Sequence, residues 1–181
     1  YSTDANTLQH PYYDIFTFPT SGQVGGIASG TEAYYAFTHA NIHFIVLDSQ
    51  ETDHSIGSPM LNWLTSDLQA NTADWTIVLW HHPPYSKGSH DSDYETRMVE
   101  MRENVLPILD SYGVDLILSG HSHSYERSKF VDGHYGFSNT FNNATHAKNS
   151  GSGDPARGAA PYAKIFPTVA HSGAVYAVVG S

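Results

Sequence analysis

The segment Gly120-His121-Ser122-His123-Ser124-Tyr125-Glu126-Arg127 places two imidazoles one residue apart, directly after the apolar run Val114-Asp115-Leu116-Ile117-Leu118. Imidazole is a neutral, directional ligand, so a His-x-His pair at the end of a buried strand suits a metal ion. In a chain with twelve histidines the pair alone is equally compatible with a solvated loop. A second strand end argues for the metal. Thr76-Ile77-Val78-Leu79-Trp80 runs into His81 and His82 and then into the turn-forming Pro83-Pro84, about 40 residues upstream.

The elements that would position these groups can be read from periodicity. Between the two strands, Met98, Met101, Val105, Ile108 and Leu109 recur at helical spacing within 93–112, and Pro107 predicts a kink or break near Asn104. Strand, helix and strand form a right-handed crossover, which sets the strands parallel with their carboxyl ends on one edge. There His81, His121 and His123 can converge, at the edge where open parallel sheets collect ligands.

Upstream, Ile42 to Leu47 is a third strand ending at Asp48-Ser49. Pro59 to Ala70 carries Met60, Leu61, Trp63, Leu64 and Leu68 on a helical face, with Ser58 as N-cap and proline at the first helical position. This alternation predicts a layered α/β domain. Residues 1–35 read as mainly loop, with Tyr12 to Phe16 and Tyr34 to Phe37 as possible short strands. The segment 132–161 is poor in large aliphatics and reads as a mobile loop or a lid, and Ala174 to Val179 is a last strand.

At 181 residues and 40% hydrophobic composition, 1–181 is expected to be a single domain with a real core. There is no run long enough to cross a bilayer. With no cysteine, a thiolate metal site and a disulfide framework are excluded. A net charge of −10 with eight Lys and Arg argues against a nucleic-acid backbone as partner. An acidic chain that handles phosphate needs positive charge from elsewhere, and bound dications provide it. The start at Tyr1 and the stop within a strand suggest a piece of something longer.

The Gly120 to Arg127 segment resembles the last metal-binding motif of purple acid phosphatases, within the calcineurin-like metallophosphoesterase superfamily. Trp80-His81-His82-Pro83-Pro84-Tyr85 is similar to the strand-end histidine motif that precedes it, and the similarity extends through 33–37, 43–49 and 63–68. The resemblance implies an α/β/β/α sandwich with a mixed sheet and crossover helices. It also implies a dinuclear metal centre, Fe with Zn, Mn or Fe, in which His81 and His121 bind one metal and His123 the other. His90, in Lys87-Gly88-Ser89-His90-Asp91, matches the family's proton donor to the leaving group, and no ligand role carries over to His82.

The family's reaction is hydrolysis of a small phosphorylated substrate, a phosphate monoester, by metal-bound hydroxide without a phosphoenzyme. Its early aspartate and Gly-Asn-His motifs, and the tyrosine ligand of the purple enzymes, are absent here. The chain is therefore expected to be the C-terminal part of the catalytic domain, inactive without the N-terminal half. A secreted or periplasmic setting is expected, and Asn143-Ala144-Thr145 is a glycosylation pattern. The alternatives are a phosphodiesterase or nucleotidase on the same scaffold, or a non-catalytic metal-binding or ligand-binding module.

Other polar groups receive structural readings. Glu126 and Arg127 are expected to form an ion pair rather than orient a metal ligand, and Asp48 to cap or hold its loop. Asp14 and Asp110 are expected to be surface charges, and Tyr34, Tyr35 and Tyr125 to lie in the core or at its rim.

Overall fold

The computed structural model describes residues 11–149, 151, 153, 154, 156, 160–165 and 169–180. Six strands form one sheet in the order β1-β2-β3-β4-β6-β5. These are β1 (Tyr35–His39), β2 (Ile42–Val46), β3 (Trp75–Leu79), β4 (Leu116–Ser119), β5 (Tyr125–Arg127) and β6 (Val175–Val179). β2, β3, β4 and β6 are parallel, and the edge strands β1 and β5 are antiparallel to their neighbours. The crossover helices are as the strand and helix alternation predicts, and the mixed sheet is as the resemblance implies.

Helix α2 (Pro59–Ala70) connects β2 to β3, and its N-cap is Ser58, whose side chain accepts from the Leu61 N–H. The second crossover is α3 (Thr96–Glu100), a π turn (Met101–Val105) and α4 (Leu106–Ser111). Pro107 cannot donate to the helical ladder, and the wide turn just before it absorbs the defect. The break predicted near Asn104 is this π turn. Both right-handed crossovers step the same way across the sheet, so both helical segments lie on one face.

Burial follows that arrangement. Ile45, Val78, Ile117, Tyr176 and Val178 point under the helices and are buried with Met60, Leu64, Met101, Val105, Leu106 and Leu109. Each such aliphatic contributes about 1.5–3 kcal/mol by leaving water. Phe44, Ile77, Leu116, Leu118 and Val175, on the opposite face, are only half-buried. Strands that are apolar on both faces are characteristic of sheets covered on both sides.

Three expectations are corrected. Tyr12 to Phe16 is not a strand: Pro11–Ile15 is the short helix α1, where Pro11 opens the first turn and Tyr12 and Phe16, one turn apart, pack together and against Phe18. Asp110 is not a surface charge, because residues 132–135 fold over the end of α4. It is buried, its carboxylate accepting from the Gly133 N–H and the Tyr135 hydroxyl. Glu126 and Arg127 do not pair with each other, since successive residues of β5 point to opposite faces. Arg127 instead lies over the Tyr162 ring.

Other readings hold. Asp48 holds its loop by accepting from the Gln50, Glu51 and Thr52 N–H groups. Tyr34 is buried against Trp63, and Tyr125 is exposed at the rim.

Candidate metal centre

β3 and β4 end side by side, and their pairing continues one step into the loops, where the Gly120 N–H donates to the His81 carbonyl. His81 and His121 are therefore neighbours although 40 residues separate them in sequence. His121 has φ +61°. A non-glycine residue in the left-handed region carries strain of about 1–3 kcal/mol, and such strain persists where surrounding contacts impose it.

The result is a converging pair of imidazole nitrogens, His81 Nε2 and His121 Nδ1, 3.2 Å apart. Two ligands about 2.0–2.1 Å from a tetrahedral zinc ion would stand roughly 3.3 Å apart. The opposite nitrogen of His121, Nε2, lies 2.9 Å from Glu95 Oε2. A carboxylate that accepts the distal N–H of a ligating histidine fixes its tautomer and leaves the other nitrogen open to a metal.

Glu95 Oε1 also lies 2.6 Å from His90 Nδ1, so one carboxylate ties His90 to His121, and their rings sit 3.9 Å apart. Burial alone would raise the Glu95 pKa, but the hydrogen bonds from His121 and His90 outweigh it and hold the carboxyl below its usual value. Burial, reinforced by His121 and His90, pushes His81 down and favours the neutral form that binds metals.

His82 is buried beside them, its ring 4.4 Å from that of His121. Desolvation, with His121 and His81 nearby, lowers its pKa to about 4. Its backbone N–H donates to Ser49 Oγ, and that hydroxyl in turn meets the ring at Nδ1. The hydroxyl thus holds Nδ1, and the His82 ring forms with those of His81 and His121 a group whose ligand nitrogens lie within 4.8 Å of one another.

Glu126 supports the loop from below. Its carboxylate accepts from the Ser86 and Ser124 hydroxyls at 2.7 and 2.8 Å and from the Lys87 N–H at 3.0 Å. These donors overcome burial and hold its pKa low. Gly88 closes against the same shelf, where a Cβ would collide with the Ser122 and Ser124 hydroxyls.

Of the four site residues expected from the sequence, His81, His90 and His121 are brought together. His123 is exposed, its backbone N–H donating to Ser89 Oγ, and it belongs to no ligand cluster among the described residues. Sequence reasoning missed Glu95. Its only local signal is a carboxylate at the start of α3, five residues after His90.

As a donor set, two converging imidazoles with a carboxylate behind one of them fit one cation. A second ion needs donors beyond this cluster.

Residues 2–125 match the family model described as calcineurin-like phosphoesterase. Purple acid phosphatase 18 of Arabidopsis thaliana is 38% identical over 108 residues, covering 58% of this chain and 24% of its own length. Purple acid phosphatase 1 of Ipomoea batatas is 38% identical over 120 residues, covering 63% and 24%. Among solved structures, a purple acid phosphatase from yellow lupin (Lupinus luteus) seeds superposes with a TM-score of 0.52 at 19% identity, over 90% of this chain and 28% of its own. The structure of PhoD gives 0.52 at 18% identity, over 94% and 32%.

These likenesses show a shared metallophosphoesterase fold. The chain spans about a quarter of the length of the curated relatives it matches. Proteins of this kind use a dinuclear metal centre. With more than half its residues matching the family model, the chain belongs to the calcineurin-like phosphoesterase family and is purple acid phosphatase-like within it.

Proposed function

We propose that this chain forms part of a hydrolase of phosphate monoesters in which His81 and His121 hold one metal ion, His123 contributes to the second and His90 is the proton donor. The observation that carries the reading is the chain His81, His121, Glu95, His90, closed by contacts of 2.6–3.2 Å at the carboxyl ends of two parallel strands. When bound, the metals supply a nucleophile near neutral pH and offset charge on the phosphate.

His121 offers Nδ1, because Glu95 accepts the proton on Nε2. His90 is anchored through Nδ1 to the same carboxylate, which leaves Nε2 as the atom from which a proton passes to the leaving oxygen. Bulk water is limited on the inner side by buried His82 and Trp80.

Iron paired with zinc, manganese or iron is the proposed metal content. The donors in this cluster serve one cation, so the chain by itself is expected to turn over little or no substrate. The half-buried apolar sheet face is where the rest of the catalytic domain would pack. A secreted or periplasmic setting belongs to the same reading, and the Asn143-Ala144-Thr145 triplet is exposed.

The test uses a protein extended upstream through the missing carboxylate motifs, with metal content and hydrolysis of a chromogenic phosphate monoester as readouts. His121→Ala and His123→Ala should each lower both. Unchanged metal and turnover in these variants would overturn the assignment. A preference for diesters across a substrate panel would move the protein to the phosphodiesterase reading.

A further inference from the structure

One carboxylate, that of Glu126 on β5, is gripped from two loops. From the loop after β3 come the Ser86 hydroxyl, 2.7 Å from Oε1, and the Lys87 N–H, 3.0 Å from Oε2. From the loop after β4 come the Ser124 and Ser122 hydroxyls, 2.8 and 3.4 Å from Oε1. Ser86 and Ser122 are buried. Hydrogen bonds to an ionised acceptor are about twice as strong as those between neutral groups, and exclusion of water preserves that strength.

The first loop carries His90, the second His121 and His123. The stem of the His90 loop is fixed without Glu126. Buried Arg102 donates to the Pro84 and Ser92 carbonyls, and Ser92 exchanges hydrogen bonds with Ser86. The tip, 86–90, rests on the other loop. There Ser89 Oγ accepts from the His123 N–H at 2.8 Å, and the His90 N–H reaches Ser122 Oγ at 3.4 Å. Gly88 is pressed so close that a Cβ would collide with the Ser122 and Ser124 hydroxyls and with Glu126 Oε1. Among the described residues, Glu126 is the one that bonds both loops through an ionised group.

We propose that Glu126 is a positioning residue: by latching the tip of the His90 loop onto the ligand loop, it sets the 3.9 Å spacing at which the His90 ring faces that of His121. The inference rests on the reading of His90 as proton donor. Among the described residues no hydrogen bond joins Glu126 to a histidine ring, so it acts through the serines and backbone of the two loops. Glu95 ties the rings to each other, and Glu126 ties the loops that carry them. Such a latch matters because a misplacement of about 1 Å can cost roughly a hundredfold in rate.

The first test is NMR of this chain, reading the nuclear Overhauser contact between the His90 and His121 rings beside Zn²⁺ affinity. Glu126→Ala should abolish the ring contact. Affinity should fall by less than about tenfold, the least that loss of a ligand's own partner costs, because the β3 and β4 pairing still holds His121 against His81. Glu126→Gln keeps an acceptor for the serines but turns an amide N–H toward the Lys87 N–H, so it weakens the contact and serves where Glu126→Ala does not fold. An unchanged ring contact, or a larger loss of affinity, would overturn the proposal.

The second test compares an alkyl phosphate with 4-nitrophenyl phosphate in the upstream-extended enzyme, since an alkoxide needs a proton to leave and a nitrophenolate does not. In Glu126→Gln, kcat on the alkyl ester should fall about tenfold or more beyond the loss on the aryl ester. His90→Ala is the reference. If it shows the selective loss while Glu126→Gln slows both esters equally, the proton-donor reading stands and this inference fails. If His90→Ala itself slows both equally, the reading fails and the inference with it.

Discussion

Among the described residues, two places bring three potential ligand atoms within 4.8 Å of one another: the strand ends, where His81, His82 and His121 and also His90, Glu95 and His121 form such groups, and the cluster of Asp110, Asp132 and His171. Their chemistry is opposite. At the strand ends, the Glu95 carboxylate is engaged by histidines and leaves the nitrogens of His81 and His121 facing each other with only one N–H to share at most. In the other cluster Lys148 already takes the cation's place, 2.7 Å from Asp132 Oδ2. His171 takes Asp132 Oδ1, and Asp110 accepts from Gly133 and Tyr135. Proximity of ligand-type atoms is common to both. What separates them is whether the lone pairs are still available.

The largest expected effect tests that difference directly. His121→Ala should lower the affinity of the chain for Zn²⁺ by more than about a hundredfold, beyond what loss of a supporting partner costs. Asp110→Ala should leave it unchanged in a chelator-competition assay. Equal losses in the two variants would erase the contrast. Glu95→Gln comes next, with an expected loss of about 10- to 100-fold in metal affinity, because the His121 tautomer is no longer enforced. If affinity is unaltered, Glu95 merely anchors its loop.

Lys148→Met sharpens the comparison from the other side. It should destabilise the fold by about 1–3 kcal/mol in urea unfolding, since Asp132 is left buried without its cation. Mn²⁺ should then restore part of that loss, and failure of Mn²⁺ to do so would show that the acidic cluster cannot act as a site even when vacated.

The smallest effect concerns Asp110, whose pKa is raised by burial. For an acid, a folded pKa above the unfolded one means that stability rises as pH falls through the folded value toward the unfolded one, and the charged form is a cost at neutral pH. Asp110→Asn should therefore raise Tm by up to about 3 °C at pH 7. The advantage should shrink on acidification, and a pH-independent difference would mean that burial of the charge is not its origin.

Much of the fold could be read locally. β2, β3 and β4 announce themselves as short apolar runs, α2 by its 3.6-residue period and Ser58-Pro59 start, and the helical break by Pro107. The misses share a cause. β5 is only Tyr125-Glu126-Arg127, a polar segment that is a strand because β6 pairs with it, and Glu126 meets Ser86 as well as Ser124 only when the loops after β3 and β4 come together. Asp110 looks like any charge at the end of a helix until residues 132–135 cover it. Glu95 looks like a helix-start carboxylate until His90 and His121 reach it from either side.

The sequence by itself determined the donor types and their placement at the carboxyl ends of two buried strands, because strand periods and the loops that follow them are local properties. Only the tertiary structure decided which donors meet: His121 with His81 across a strand pairing, and with Glu95 across 26 residues. It also left His123 exposed beside them. Those choices depend on register, crossover hand and a strained φ at His121, none of which is written in a short window of residues.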